Sequence, residues 1–160
     1  MEPYIQNYKK FINNKIVDEP AEKNQYNAEQ WPPINIDEYI DRWYYYTDLQ
    51  DYPILFYISY IYIQRLFQKG IIKHITFYNA HRIIAITILL AIKNHDDFYC
   101  SNYYYASVSG IHPMELNRLE ECFLHNIEWD LIVNIGSQDD CAESIRSDSQ
   151  SDVSGMDEDL

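Results

Sequence analysis

The segment IIAITILLAI, Ile83 to Ile92, is apolar at every position except Thr87. It is far shorter than the roughly 20 residues that cross a bilayer. A helix without a polar face does not lie on a protein surface, so this one is expected to be sheathed by other helices. Extended to its natural limits it reads AHRIIAITILLAIK, with Thr76 ahead of it as a candidate cap. A chain of 160 residues supports one domain around such an element. With 47% hydrophobic residues and only 4 glycines, a helical body is favoured over a turn-rich β fold.

The sheath is legible on either side. Ile36, Tyr39, Ile40, Trp43 and Tyr44 form one helical face, with Asn35 placed as its cap. Pro53 suits a first turn, and ILFYISYIYIQRLF follows it up to a stop at Gly70. Beyond the central helix, Ser101 opens the short helix NYYYASV, which Gly110 ends. Pro113 opens another, with Leu116, Leu119, Phe123, Leu124 and Ile127 along one stripe. Five helices thus occupy 34–134. Ahead of them, Tyr4, Ile5, Tyr8, Phe11 and Ile12 suggest an amphipathic helix within 1–16, and the polar, proline-bearing stretch 17–33 reads as a linker. Residues 135–160 are rich in Ser, Asp and Glu and are expected to be disordered.

Charge narrows the function. The net charge is −13, and residues 135–160 hold eight acidic groups against one basic. The body is acidic too, and no run of Lys and Arg offers the counterion release that nucleic-acid binding needs. Neither nucleic acid nor a membrane is an expected partner. The three cysteines show no CxxC pair, and MEPYIQNYKK lacks an apolar signal core, so an intracellular setting, nuclear or cytoplasmic, is expected.

The stretch KNHDDFYC, Lys93 to Cys100, gathers a histidine, two aspartates and a cysteine. The adjacent aspartates diverge and no second ligand pair has finger-like spacing, so no metal is expected. No glycine-rich phosphate loop, nucleophile with base or carboxylate pair stands out, which argues against an enzyme, and no cofactor is expected. Two charges are better clues. Lys93 is the first charge after the apolar helix, and Glu120 sits among Leu116, Leu119, Phe123 and Leu124. A charge at the margin of a core needs a partner, because desolvating it alone costs several kcal/mol. Either the two pair internally, or they face another protein.

The segments YIDRWYYYTD (39–48), YIYIQRLF (60–67), AHRIIAITILLAIK (80–93), NYYYASVSGI (102–111) and MELNRLEECFL (114–124) together resemble the P/U-type cyclins, single-box relatives of the phosphate-signalling cyclin. The resemblance implies an all-α fold: a five-helix cyclin box with an extra N-terminal helical segment and an acidic disordered tail. It also implies a regulatory subunit that binds and activates a cyclin-dependent protein kinase. A non-activating scaffold and a transcription-factor-type adaptor are the alternatives. In such cyclins a lysine and a glutamate matching Lys93 and Glu120 bond to kinase backbone, and an acidic residue matching Asp97 lies near the kinase, with an arginine as its partner. The chain departs from the family pattern at Gln64, Ser107 and Ser109, where aspartate, lysine and glycine are usual, so strain is expected at Ser109. Its first box helix lacks the apolar patch by which mitotic cyclins dock substrates. Ser137, Ser149 and Ser154 each precede an acidic residue by three positions, a spacing that acidophilic kinases accept, and are candidate phosphorylation sites.

Overall fold

A computed structural model describes residues 2–18, 24–30, 32–95, 97 and 99–154, with the backbone alone at Glu2, Asp48 and 150–154. Its helices are α1 (Glu2–Lys15), α2 (Ile36–Tyr46), α3 (Ile54–Gln68), α4 (Ala80–His95), α5 (Asn102–Ser109), α6 (Pro113–Asn126) and α7 (Gln138–Ser154), with a 3-10 turn at Asp48–Gln50. Among the described residues there is no strand beyond one parallel bridge between Ile16 and Ile75. None of these helices is long and apolar enough to cross a membrane.

The all-α class follows the sequence pattern, and α4 is the axis. Every residue from Ala80 to Ile92 except Arg82 is buried. A helix so enclosed must satisfy its one internal hydroxyl without water. Thr87 Oγ1 donates to Ile83 O at 2.7 Å, which leaves its oxygen to accept from Ser59 Oγ of α3 at 2.8 Å. Ser59 Oγ accepts in turn from Tyr8 Oη of α1 at 2.7 Å. This chain of hydroxyls stitches α1, α3 and α4 together in the core. Trp43 of α2 stacks on Tyr105 of α5 at 6.2 Å, and Tyr39 Oη donates to Ser109 O at 2.7 Å. His81 Nε2 donates to Ile34 O at 2.7 Å, and burial holds its pKa below the ordinary histidine value.

Local signals fix most helix ends. Asn35 Oδ1 accepts from Glu38 N at 2.8 Å, Ser101 caps α5, and His112 Nδ1 accepts from Met114 N at 3.2 Å ahead of α6. Thr76 does not cap α4. Asn79 stands immediately before that helix, receiving Thr76 N on its Oδ1 at 2.8 Å and donating to His74 O at 3.1 Å, so the threonine belongs to the preceding turn. Ser109 carries no strain either. Gly110 takes the left-handed conformation at φ 69°, while Ser109 remains helical and bonds Ala106 O and Ile111 N through its hydroxyl.

The stretch after α1 is tied to the body over the described part of 17–33. Tyr26 is fully buried, its hydroxyl accepting from Asn126 Nδ2 at 2.6 Å, and Ala28 N donates to Tyr78 O at 2.8 Å.

The expectation of disorder over 135–160 fails for 138–154, where the chain is helical and packs on α1 and α3. Cys141, Ile145 and Ser149 are buried at four-residue spacing. Tyr4 Oη donates to Gln138 O at 2.5 Å and Asn7 Nδ2 to Ala142 O at 3.1 Å. The tail's overall composition hid this narrow face, and most of the hold runs through backbone carbonyls. Residues 155–160 lie outside the described residues. Between α6 and α7 the chain runs along α3, with Arg65 donating to Asp130 O and Ile132 O at 2.6 and 2.5 Å, and Tyr62 Oη to Leu131 O at 2.9 Å.

Two helices end in the same motif with different residues. After α3, Ile71 N bonds Leu66 O and Gly70 N bonds Phe67 O, with Gly70 at φ 70°. After α6, Trp129 N bonds Leu124 O and Glu128 N bonds His125 O, with Glu128 at φ 56° and Trp129 at φ 60°. The left-handed conformation costs an L-residue about 1–2 kcal/mol. Glycine would relieve it, at about 0.4–1 kcal/mol of extra unfolded-chain entropy. The exposed pair from Glu128 to Lys69, 3.4 Å apart, adds little. Glu128→Gly is therefore expected to stabilise the fold by about 0.5–1 kcal/mol in urea unfolding. By the same measurement Tyr8→Phe is expected to destabilise it by about 1 kcal/mol, since Ser59 loses its donor.

Candidate protein-docking site

Lys93 lies in the last turn of α4, where the helix emerges from its sheath, and Glu120 lies on α6. The structure brings them together: Lys93 Nζ stands 2.9 Å from Glu120 Oε1 and 3.1 Å from Oε2. Their side chains are 20% and 18% exposed, so the pair sits at the rim of the core rather than within it. The position suits a cation doubly, since the C-terminal end of α4 carries partial negative charge.

Two groups that the sequence reading did not single out complete the cluster. Asn102, first residue of α5, donates its amide to Glu120 Oε2 at 2.9 Å and to Asn117 Oδ1 at 2.6 Å. Its Oδ1 is buried without a hydrogen-bond partner. Lys93 Nζ also lies 5.7 Å from the centre of the Tyr99 ring, a cation–π distance. Nothing in sequence spacing announces either contact, because they join a helix end, a loop and the next helix start. Tyr99 beside Lys93 is exposed, as are Tyr103 next to Asn102 in the chain and Tyr45 and Tyr46 at the end of α2, where Tyr104 Oη bonds Tyr46 O. A second ion pair, Arg82 Nε to Glu115 Oε1 at 2.8 Å, joins the start of α4 to α6.

Asp97 takes a different place. It is exposed and lines, with His95, a cleft of about 410 Å³ whose apolar walls are Ile54, Leu55, Ile58 and Ile135. Burial lowers the His95 pKa below its ordinary value. Asp96 lies outside the described residues, and among those described no three His, Cys, Asp or Glu side chains converge on a metal position. The candidate phosphorylation sites also separate. Ser137 is exposed and its Oγ accepts from Asp140 N at 3.2 Å at the start of α7. Ser149 is buried, and the side chain of Ser154 lies outside the described residues.

The arrangement presents a cation at the end of α4 and a carboxylate on α6, with exposed Tyr99 beside the cation and an apolar cleft lined by His95 and Asp97 just along the chain. Such a surface suits a protein partner. Among known proteins, the cyclin family model matches residues 6–131. The chain belongs to the cyclin family. It is similar to cyclin-U4-2 of Arabidopsis thaliana, 36% identical over 121 residues, which are 76% of this chain and 55% of that protein. Cyclin-U3-1 of the same plant is 35% identical over 121 residues, 74% of this chain and 52% of that protein. Cyclin-P4-1 of Oryza sativa subsp. japonica is 32% identical over 118 residues, 74% of this chain and 55% of that protein. The chain thus spans about half the length of the curated relatives it matches. The matched span of this cyclin begins inside α1 and runs through α6, while α7 lies beyond it.

Removing Glu120 leaves Lys93 and the Asn102 amide without their shared acceptor. Glu120→Ala is expected to lower stability by about 1–3 kcal/mol in urea unfolding, and Glu120→Gln, which still offers an oxygen to Asn102, by less.

Proposed function

We propose that this cyclin is an intracellular regulatory subunit that binds and activates a cyclin-dependent protein kinase, with Lys93, Glu120 and Asp97 at the contact. The kinase carries out the phosphoryl transfer. The observation that carries the reading is the Lys93–Glu120–Asn102 cluster at the exposed end of an otherwise enclosed helix. Lys93 has three donor hydrogens and Glu120 two acceptor oxygens, a set suited to a partner's backbone C=O and N–H groups, and the Asn102 amide holds Glu120 in place from beneath. The internal pairing and the interface reading are compatible. Pairing holds both charges ready at the rim, so that binding need not order them. Asp97, exposed beside an apolar cleft, offers a carboxylate to a kinase arginine. Activation follows if docking favours the active arrangement of a mobile kinase element, since a ligand shifts a conformational equilibrium by its difference in affinity for the two states.

The test is co-purification with candidate cyclin-dependent kinases, a kinase assay on the complex, and calorimetry with variants. Lys93→Ala and Glu120→Ala are each expected to lose about 2–5 kcal/mol of binding free energy while the chain stays folded. Unchanged affinity in both variants would reduce the pair to a structural role. A complex that forms without gaining kinase activity would point to a scaffold.

A further inference from the structure

The contact between α7 and the body is built in an unusual way. Side chains of α1 donate to carbonyl oxygens of α7: Tyr4 to Gln138, Asn7 to Ala142 and Asn14 to Ser149. Both series rise together, so the helices run parallel. Among the described side chains of α7, those buried beneath this polar edge are Cys141, Ile145 and Ser149, with Ala142 partly buried beside them, and Ile145 is the one large aliphatic residue. At the far end Asp148 faces Lys15 at 3.7 Å and accepts from Gln64 of α3. A helix owes most of its stability to the apolar face it packs, so the docking of α7, with one large aliphatic residue among its described buried side chains, is sensitive to a change at that face.

Ser149 stands where one covalent change acts on the hydrogen bonds, the buried face and the charges of that contact at its C-terminal end. Its side chain is enclosed and its Oγ donates to Arg146 O at 2.7 Å, while its carbonyl receives Asn14. Its neighbour Asp148 already occupies Lys15 and Gln64. In the sequence, Asp152 follows three positions later. We propose that Ser149 is a phosphorylation site for an acidophilic serine kinase, and that the phosphate releases α7 from α1 and α3. In the transfer, Ser149 Oγ bonds to the γ-phosphorus of ATP, the bridging P–O bond breaks, ADP leaves, and the hydroxyl proton passes to the kinase's base. The reaction takes place on the opened helix, and the product does not close again. A group of about −1.5 to −2 charges, with three oxygens to solvate, replaces a buried hydroxyl next to an aspartate.

Ser137 shares the sequence spacing but has the opposite consequence. A phosphate there sits at the N-terminal end of α7, exposed to water and favoured by the helix dipole, and leaves the helix docked. Release through Ser149 uncovers a tyrosine-lined strip: Tyr4 and Tyr57 lie beside Cys141, and Tyr60 lies beside Gln64 and Asp148.

Cys141 reports the event, because it is buried in the α7 contact whereas Cys100 is exposed and Cys122 half-buried. In a full chain carrying Cys100→Ser and Cys122→Ser, phosphoserine is incorporated at position 149 or, separately, at 137. Labelling of the Cys141 thiol is expected to rise about tenfold or more with phosphoserine 149, and to stay at the unmodified rate with phosphoserine 137. Hydrogen exchange of α4 stays slow in both. Ile145→Asp supplies the released reference. Labelling of the 149-phosphorylated chain at the unmodified rate overturns the proposal. Loss of α4 protection also overturns it, since the phosphate would then unfold the body rather than free one helix. So does an acidophilic kinase that modifies Ser149 in the Ile145→Asp chain but never in the parent.

Discussion

The enclosure of α4 is the constraint from which the rest of the molecule follows. A helix buried from Ala80 to Ile92 on all sides but Arg82 has no water to satisfy polar groups along its length. Its single internal hydroxyl is met by Ser59 and, through it, by Tyr8, which fastens the first helix to the core. Charge is tolerated only toward the ends, and there each cation is answered from α6, Arg82 by Glu115 and Lys93 by Glu120. The candidate docking site therefore occupies the place where the enclosed helix first reaches the surface, and the same packing that makes the core holds the site rigid.

What the sequence revealed was local or sharply anomalous. Asn35, Ser101 and Gly110 act within one turn of where they stand, so their roles can be read from neighbours alone. Lys93 and Glu120 were legible because a charge in apolar company demands an explanation. Asn79 was not, since its side chain reaches back to the turn before α4 instead of forward into the helix. Asn102 and Tyr99 join the Lys93 cluster through the meeting of three elements, which no spacing encodes. Asp97 was placed by family resemblance, and the structure gives it an apolar cleft of its own.

Composition misled in two stretches for related reasons. The polar, proline-bearing residues after α1 read as a linker, yet Tyr26 is fully buried and bonded to Asn126. The acidic tail read as disordered, yet 138–154 is a helix seated on α1 and α3. In both, one or a few side chains anchor a stretch whose average is hydrophilic. An average over many residues is blind to a single buried tyrosine. It is blinder still to α7, where the partner recognises main-chain oxygens that every sequence possesses. Gln64 fits this picture, for the aspartate usual at that position in related cyclins would face Asp148 as a like charge.

The distance along the chain between α1 and α7 has a kinetic meaning. Tyr4 meets Gln138, and Asn7 meets Ala142, across 134 and 135 residues. Contacts of such separation bear the largest loop-closure entropy, whereas α3 and α4 are near neighbours whose apolar faces meet early. The search for native contacts thus ends with α7, on a nucleus that is already formed. Until then the groove along α1 stands open, and any other helix offering free carbonyls at the right spacing competes for it.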